Sequence, residues 1–348
     1  CATCSTHDCG GRHGMASELI AVRGLRISFA SDAGIARVLD GVDLTINRGE
    51  IMGLIGESGC GKTTLARAIL GILPPNAARV EGGEIRFEGR ALLGLDEATL
   101  ASEVRGRQIA YIPQDPFTAF NPVFTIGTQI ADLMRFKSPL LREGGLSARE
   151  RRRADHARVI DLLRQVQLPD PEGVLRKYPH EVSGGQRQRL MIAMALLPEP
   201  RLVIADEPTT ALDVTVQAQI LKLLKQLARE RGVAVLFTTH DLGTAYEICD
   251  RITVMYAGQE AEEAPVESFF DRPSHPYTRK LLDSLPSSEN GIRGIPGEIP
   301  RLVDPPRGCR FHPRCERASE ACRTTRPPAS LVAADHGVRC HHPLGGTA

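Results

Sequence analysis

The stretch Gly56-Glu57-Ser58-Gly59-Cys60-Gly61-Lys62-Thr63 has the pattern G-x-x-x-x-G-K-T. A predicted strand, Ile51–Ile55, precedes it, and a predicted helix follows over Thr63–Leu73 until the prolines at 74 and 75. Between such flanks, backbone N–H groups and the helix N-terminus bind phosphates; a chance glycine-rich turn would lack this context. We therefore predict a nucleotide site in which Lys62 reaches the β- and γ-phosphates and the Thr63 hydroxyl ligates Mg²⁺.

A pair of carboxylates ends another predicted buried strand. Four apolar residues, Leu202–Ala205, lead into Asp206 and Glu207. Hard cations take oxygen ligands, so Asp206 is expected to hold Mg²⁺, and Glu207 is placed to orient and polarise an attacking water. By itself such a pair is ambiguous, because a helix N-cap looks similar.

The bulk composition is that of an ordinary globular protein. The 348 residues are 42% hydrophobic and 24% charged, enough for one large domain with an appendage or for two modest domains. With a net charge of +1, the chain lacks the strongly basic character that is typical of nucleic-acid-binding domains, so no nucleic-acid partner is expected. The longest apolar run, near Leu190–Leu197, is too short to span a membrane, so other subunits would have to supply any membrane path.

Short apolar segments separated by predicted helices indicate a parallel sheet covered on both faces. The segments are Ile109–Ile112, Leu202–Ala205, Ala234–Thr238 and Ile252–Tyr256. Residues 19–56 are predicted as strands and turns, in which Val42, Leu44 and Ile46 alternate with polar or small residues. Residues 116–182 lack strand-like runs, and Ser147 with Glu150 matches a capping box, which predicts an inserted helical subdomain.

The two ends of the chain differ from its body. Residues 1–14, with Cys1, Cys4 and Cys9, precede Met15 and are expected to be an unstructured, non-native extension rather than the start of a mature lipoprotein. After about Phe270, recurrent prolines predict a linker and a small cysteine-bearing tail. The predicted units are therefore a nucleotide-binding domain at 15–270 and a C-terminal extension at 271–348.

Further motifs follow the first two in a fixed order. Gln114 lies in Y-I-P-Q-D, Ser183 begins S-G-G-Q 121 residues after Lys62, Asp213 closes P-T-T-A-L-D, and His240 lies in T-T-H-D. With the P-loop and the acidic strand end, this order resembles the ATP-binding-cassette (ABC) ATPases over about residues 18–284. The resemblance implies a P-loop NTPase (RecA-like) core with an antiparallel β subdomain and an inserted helical signature subdomain.

The resemblance also implies roles for single residues. Gln114 senses Mg²⁺ and the nucleophilic water, and His240 contacts the γ-phosphate. Ser183-Gly184-Gly185-Gln186 contacts ATP bound to the opposite subunit, and Asp213 belongs to the D-loop. Phe29 is a candidate for stacking on adenine, with a core role as the alternative. Besides these, the residues predicted to bind MgATP are Gly56, Glu57, Ser58, Gly59, Cys60, Gly61, Lys62, Thr63, Thr64 and Asp206.

Three longer stretches narrow the resemblance. Gln114–Pro122 (Q-D-P-F-T-A-F-N-P), Asp206–Thr215 (D-E-P-T-T-A-L-D-V-T) and His275–Leu282 (H-P-Y-T-R-K-L-L) are similar to segments of oligopeptide, dipeptide and nickel importer ATPases. Thr209-Thr210 together with Met191–Ala195 resembles the first of the two ATPases that such systems usually carry. This implies a peripheral ATP-hydrolysing subunit at the cytoplasmic face of the cell membrane, with two permeases, a sister ATPase and an external solute-binding protein.

The sequence leaves alternatives for the transported solute and for the class of ABC ATPase. Peptide cargo is favoured, with nickel or another small solute as the alternative. Repair ABC ATPases carry long heptad insertions, for which 121 residues leave no room, and ribosomal members usually have two cassettes in one chain. An exporter usually requires or recruits membrane spans and does not explain the extension around Tyr277.

Four cysteines near the C-terminus have the spacing C-x5-C-x6-C-x17-C, at Cys309, Cys315, Cys322 and Cys340. Four thiolates can hold an Fe–S cluster or a structural Zn²⁺, although the spacing lacks a C-x-x-C and free thiols are the alternative. The resemblance of the tail to that of peptide importers implies a [4Fe–4S] cluster. For Zn²⁺, substitute ligands are available at His312, His336, His341 and His342.

Overall fold

The computed structural model describes residues 18–116, 118–209, 213–285 and 294–345, without the side chains of Glu143 and Val214. The expected N-terminal extension at 1–14 lies outside these ranges, so its lack of structure stays a prediction. The strands in the described ranges are β1 (Glu18–Ser31), β2 (Gly34–Asn47), β3 (Ile51–Ile55), β4 (Ala78–Phe87), β5 (Arg90–Ala91), β6 (Ile109–Ile112), β7 (Leu202–Asp206), β8 (Ala234–Thr239), β9 (Arg251–Tyr256), β10 (Gln259–Pro265), β11 (Ser330–Ala333) and β12 (His336–Val338). The α-helices are α1 (Lys62–Leu70), α2 (Glu97–Thr99), α3 (Ile126–Lys137), α4 (Leu140–Glu143), α5 (Ala148–Gln165), α6 (Pro171–Arg176), α7 (Gly184–Leu196), α8 (Val214–Arg231), α9 (Leu242–Ile248), α10 (Val266–Asp271), α11 (Pro276–Asp283) and α12 (Glu320–Thr324).

A mixed sheet forms the centre of the molecule. Strands β9, β3, β8, β7 and β6 pair in parallel in that order, and β10, β12 and β11 continue the sheet antiparallel beyond β9. Every residue of β3, β7 and β8 is buried, as expected of strands covered on both faces. The parallel sheet predicted from the apolar segments is confirmed.

A second, antiparallel sheet has the order β2-β1-β4-β5. The alternating residues Val42, Leu44 and Ile46 are at most 1% exposed and pack in a core with α1, which confirms the period-two prediction. Strand β4 was not predicted, because Gly82 and Gly83 interrupt its apolar alternation.

Helices α3 to α6 lie between β6 and the signature motif. The Ser147 hydroxyl accepts from the Glu150 N–H at 3.3 Å, and the Glu150 carboxylate accepts from the Ser147 N–H at 2.9 Å, which confirms the capping box. On α5, Val159, Leu162 and Leu163 are buried. The helical region is therefore a packed layer with a defined start at α5.

Helix α1 is shorter than predicted. It ends at Leu70 rather than Leu73, because Gly71 takes the left-handed conformation at φ 65° and closes the helix ahead of the prolines. A C-terminal glycine was thus the stop signal, and the prolines lie beyond it.

The C-terminal extension predicted after residue 270 is joined to the body of the protein in the structure. Strand β12 pairs with β10 and so extends the central sheet, and Tyr277 on α11 is fully buried. The segment looks like a tail in sequence because arginine contacts, which have no apolar periodicity, attach much of it to the body. The domain limits 15–270 and 271–348 stay predictions. Within the described ranges no helix is long and apolar enough to cross a membrane.

Candidate nucleotide site

The P-loop joins β3 to α1, and two glycines shape it. A Cβ at Gly56 would overlap the Met255 carbonyl oxygen, and Gly61 has φ 110°, a conformation that side chains rarely adopt. The Lys62 side chain is 6% exposed and turns back over the loop to donate to the Gly56 carbonyl at 2.8 Å. The ammonium is therefore held inside the concave side of the loop, where phosphate oxygens would be bound.

Asp206 is buried at the end of β7 and receives three hydroxyl groups. Thr238 donates to it at 2.6 Å, Tyr111 at 3.1 Å and Thr63 at 3.3 Å. Burial and the Asp206 carboxylate raise the pKa of Tyr111 to about 12, so the phenol stays protonated and keeps donating. The Thr63 hydroxyl and the Asp206 carboxylate thus form an adjacent pair of oxygen donors, a set that fits Mg²⁺.

Glu207 brings the predicted catalytic residues together. Its carboxylate accepts from Gln114 Nε2 at 3.2 Å, lies 3.2 Å from His240 Nδ1 and lies 3.8 Å from Lys62 Nζ. The Glu207 backbone has φ 46°, a strained value for a residue other than glycine. Its N–H donates to the Thr238 hydroxyl at 3.0 Å. Gln114, Glu207 and His240, which are 93 and 33 positions apart in sequence, therefore meet at one point.

These groups face one open cavity of about 630 Å³. Its walls consist of Val38, Ser58, Gly59, Gly61, Lys62, Thr63, Thr64, Gln114, Glu207, His240 and Leu302. Val38 and Leu302 were not predicted, since neither belongs to a nucleotide motif. Of the predicted P-loop residues, Gly56, Glu57 and Cys60 are not on the wall itself, and neither is Asp206.

The supporting residues Tyr111 and Thr238 were also missed. Each lies on a strand and is the first residue of a quoted motif, Tyr111 of Y-I-P-Q-D and Thr238 of T-T-H-D, but no role was predicted for either. The signal that could have identified them is a hydroxyl-bearing residue on an otherwise apolar strand next to the strand that ends in Asp206.

The signature residues lie apart from this cavity. Ser183 begins α7 and is exposed, and a capping box links it to Gln186, with hydrogen bonds of 3.3 and 3.1 Å. Asp213 likewise begins α8 by accepting from the Val216 N–H at 3.0 Å. Phe29 is partly buried against the core of the antiparallel sheet and does not line the cavity.

The four cysteines of the extension surround another, small cavity. Its wall includes Cys309, Cys315, Cys322, Cys340, His312, His341 and His342. All four cysteines are free thiols, and burial raises the pKa of Cys309 and of Cys340 to about 11. Across the part of the chain that the structure describes, no three His, Cys, Asp or Glu side chains are grouped so as to hold a metal ion. The expected Fe–S or Zn²⁺ site is therefore not shown.

His336, named as a substitute zinc ligand, lies elsewhere. It is buried, and its Nε2 lies 2.6 Å from a carboxylate oxygen of Glu262, which also accepts from the N–H groups of Ser274 and His275. The His336 ring therefore contacts Glu262 and is not beside the four cysteines, because β12 places it next to β10.

Two family models match the sequence. Residues 39–210 match the ABC transporter model, and residues 261–322 match the oligopeptide/dipeptide transporter C-terminal region. A probable peptide ABC transporter ATP-binding protein of Sinorhizobium fredii is 46% identical over 329 residues, which cover 93% of this chain and 95% of that protein. The chain belongs to the ATP-binding subunits of ABC transporters. This ABC ATPase is also 41% identical to the dipeptide transport ATP-binding protein DppD of Bacillus subtilis over 326 residues, 93% of this chain and 94% of that one.

Solved structures share the fold of the cassette. The ATP-binding cassette MJ0796, in a dimeric post-hydrolysis state bound to ADP and Pi, has a TM-score of 0.60 at 28% identity, covering 71% of this chain and 99% of that one. CbiO1 of Clostridium perfringens, part of the transporter complex cbiONQ, has a TM-score of 0.59 at 25% identity, covering 74% and 92%. The predictions of an ABC cassette fold and of an ABC-type ATPase are confirmed.

Proposed function

We propose that this ABC ATPase hydrolyses ATP to drive the import of di- or oligopeptides across the cytoplasmic membrane through partner permeases. The observation that carries the chemistry is the meeting of Glu207 with Lys62, Gln114 and His240 in one open cavity. The cargo class rests on the match of residues 261–322 to the peptide-transporter C-terminal region and on the names of the relatives.

Each residue at the cavity has a role that its position supports. Lys62 and the P-loop N–H groups bind the β- and γ-phosphates. Thr63 and Asp206 would hold Mg²⁺, which supplies charge neutralisation when it is bound. Glu207 orients and polarises the attacking water, while Gln114 and His240 hold the Glu207 carboxylate in place; His240 also lines the cavity, where it would contact the γ-phosphate.

The signature is proposed to act on a second subunit. Ser183 and its glycines present an exposed helix N-terminus away from the P-loop cavity of the same chain, and such a terminus attracts phosphate. A sister ATPase would therefore place its own nucleotide against Ser183–Gln186, and this chain would be half of a heterodimer with Asp213 near the shared face. Phe29 remains a proposed adenine contact.

The partner surface is proposed to lie on the helical region. A groove of about 600 Å³ runs between α3 and α5, and Ile130, Met134 and Arg151 are among the residues that line it. Just ahead of α3, Val123 and Phe124 are 73% and 51% exposed. Two permeases docked here would place the subunit at the cytoplasmic face of the membrane, with the solute-binding protein on the other side.

The extension is proposed to hold a metal centre at its four cysteines, either a [4Fe–4S] cluster or Zn²⁺. Cys309, Cys315, Cys322 and Cys340 line one small cavity, and four thiolates suit either group; binding would have to draw them into the close grouping that the described residues do not show. Binding would deprotonate the thiols and tie the ends of the extension together. Anaerobic purification followed by iron, sulfide and zinc analysis tests it: about one cluster or one zinc per chain is expected, and the absence of all three elements contradicts it.

Affinity purification of the tagged subunit from detergent-solubilised membranes, with mass spectrometry of retained proteins, tests the transport function. Two permeases and a sister ATPase are expected, with peptide extracted from any retained binding protein. Phe124→Asp should lose the permeases, while Leu331→Asp, which changes another exposed side chain on the extension, should keep them. Ribosomal or DNA-repair proteins without a permease would contradict the proposal, and nickel in place of peptide would change the cargo.

A further inference from the structure

Arg314, in the extension, has an acceptor for each of its five guanidinium N–H groups. Two of them reach the Glu57 carboxylate of the P-loop, at 2.8 and 3.3 Å. The others reach the Tyr256 hydroxyl at 3.2 Å and the carbonyls of Pro296 and Ile295 at 3.0 Å each. The side chain is 4% exposed. This is a forked ion pair between a buried guanidinium and a carboxylate that is 24% exposed, 257 positions apart in sequence, and lysine cannot reproduce its geometry.

Glu57 is an acidic residue in a loop that receives a polyanion. Its own N–H donates to the buried Tyr277 hydroxyl at 3.2 Å, so the extension holds both its backbone and its side chain. The residue is not on the cavity wall. An uncompensated carboxylate on this loop would repel the phosphates, and because the Glu57 side chain is only partly buried, added salt would weaken that repulsion. Arg314 therefore fixes the loop and cancels the charge of Glu57.

The same guanidinium holds a segment that forms part of the pocket. Beyond the two carbonyls it binds, Gly297 lets the chain pass closely: a Cβ there would lie 3.1 Å from Arg314 Cγ. Leu302, five positions further on, lines the nucleotide cavity together with Val38. The Leu302 carbonyl accepts from the Arg37 N–H at 2.8 Å, which fixes the segment across β2.

We propose that the C-terminal extension completes the nucleotide site, with Arg314 positioning the P-loop through Glu57 and Leu302 supplying one wall of the pocket. The inference rests on the nucleotide site proposed above and adds residues outside its motifs. Arg314 acts through Glu57 and is a positioning residue. A mere anchor for the extension would affect folding alone, whereas this arrangement makes nucleotide affinity depend on the Glu57–Arg314 pair.

The test uses the full-length subunit in its complex, with MgADP binding by calorimetry and with KM and kcat for ATP. Arg314→Gln should raise the Kd for MgADP and the KM for ATP about tenfold, with kcat nearly unchanged and a larger effect at low ionic strength. Adding Glu57→Gln should restore most of the affinity, because the loop then carries no charge to cancel. Arg314→Lys should be intermediate, since it keeps the charge and loses the fork.

Arg310→Gln is the matched control. Arg310 is equally buried and also attaches the extension, through Asp40 and the carbonyls of Arg37 and Ala257, but among the described residues it has no hydrogen bond to the P-loop. It should lower thermal stability and leave the Kd unchanged. A wild-type Kd in Arg314→Gln, an equal loss in Arg310→Gln, or no rescue by Glu57→Gln would each overturn the proposal.

Two further variants keep the test decisive. If Arg314→Gln does not fold, Glu57→Gln alone should weaken MgADP binding a few-fold, because the P-loop loses the ion pair that positions it; unchanged or tighter binding contradicts this. Leu302→Ala should raise the KM for ATP a few-fold, while Leu331→Ala should not. Equal KM values for the two variants would contradict the role of Leu302 as part of the pocket wall. A wild-type complex that fails to bind MgADP would refute the nucleotide site itself, whereas binding that every variant shares would refute only this inference.

Discussion

The nucleotide site and the C-terminal extension are assembled in opposite ways. The site collects short motifs at the ends of β3, β6, β7 and β8, where parallel strands bring them together, and the contacts of Glu207 with Lys62, Gln114 and His240 are made within those motifs. The extension at 294–345 buries few apolar side chains and is attached by arginines that reach back to the β2 region and the P-loop. A parallel sheet therefore makes a site recognisable from local sequence, while an arginine-attached segment is visible only in three dimensions.

The strongest way to sharpen this contrast is to change one side chain inside the site. Glu207→Gln should reduce ATP turnover about a thousandfold, because the amide no longer polarises the attacking water, and should keep MgATP binding. Lys62→Ala should instead weaken binding, since it removes the charge that meets the phosphates. Nucleotide titration and steady-state hydrolysis separate the two, and wild-type turnover in Glu207→Gln would contradict the assignment.

A break in the extension should act on stability rather than on turnover. Arg310→Met removes a buried guanidinium from Asp40, 2.9 Å away, and from the carbonyls of Arg37 and Ala257. The groups left behind should lower the free energy of unfolding by about 3 kcal/mol. Urea unfolding measures the loss, with the exposed Arg301→Met as the control. Equal stability of the two variants would mean that the arginines do not attach the extension.

The pH dependence of stability should also report on the extension. His275 is fully buried, its Nδ1 accepts from the Tyr277 N–H at 3.0 Å, and burial lowers the pKa of His275 to about 4. Below about pH 6.5 the unfolded chain binds a proton that the folded chain does not, so this residue should cost about 2 kcal/mol of stability at pH 5. His275→Asn keeps a capping acceptor without the titration. Its unfolding free energy should fall less between pH 7 and pH 5 than that of the wild type, and parallel curves would contradict the cause.

The smallest expected effect concerns a purely local contact. Ser147→Ala removes the hydroxyl that caps α5 and should cost about 1 kcal/mol, without changing nucleotide affinity. Amide hydrogen exchange should show the loss confined to the first turns of α5. Loss of protection across the C-terminal extension as well would contradict the prediction that this contact acts only locally.

Much of the nucleotide site could be predicted because each motif carries its own signal. The glycines of the P-loop, the carboxylates after Leu202–Ala205 and His240 after β8 were identified, and the structure brings them together, although their roles stay proposals. Tyr111 and Thr238 were missed because a buried hydroxyl at a strand end has no pattern of its own. Leu302 and Arg314 were missed because their partners lie more than 200 positions away.

The fold shows the same division. Apolar runs predicted β3, β6, β7, β8 and β9, since strands buried on both faces must be apolar. Strand β12, which is three residues long, and the glycine-interrupted β4 carry no such run. The end of α1 was misplaced because Gly71 stops the helix ahead of the more conspicuous prolines.

The most direct test of the central claim is ATP hydrolysis by the complete assembly in proteoliposomes, measured with and without peptide-loaded binding protein. Peptide should raise turnover, and an assembly that carries Glu207→Gln in this subunit should lose that increase. Turnover that ignores peptide, or that responds to nickel instead, would contradict a peptide importer driven by this ATPase.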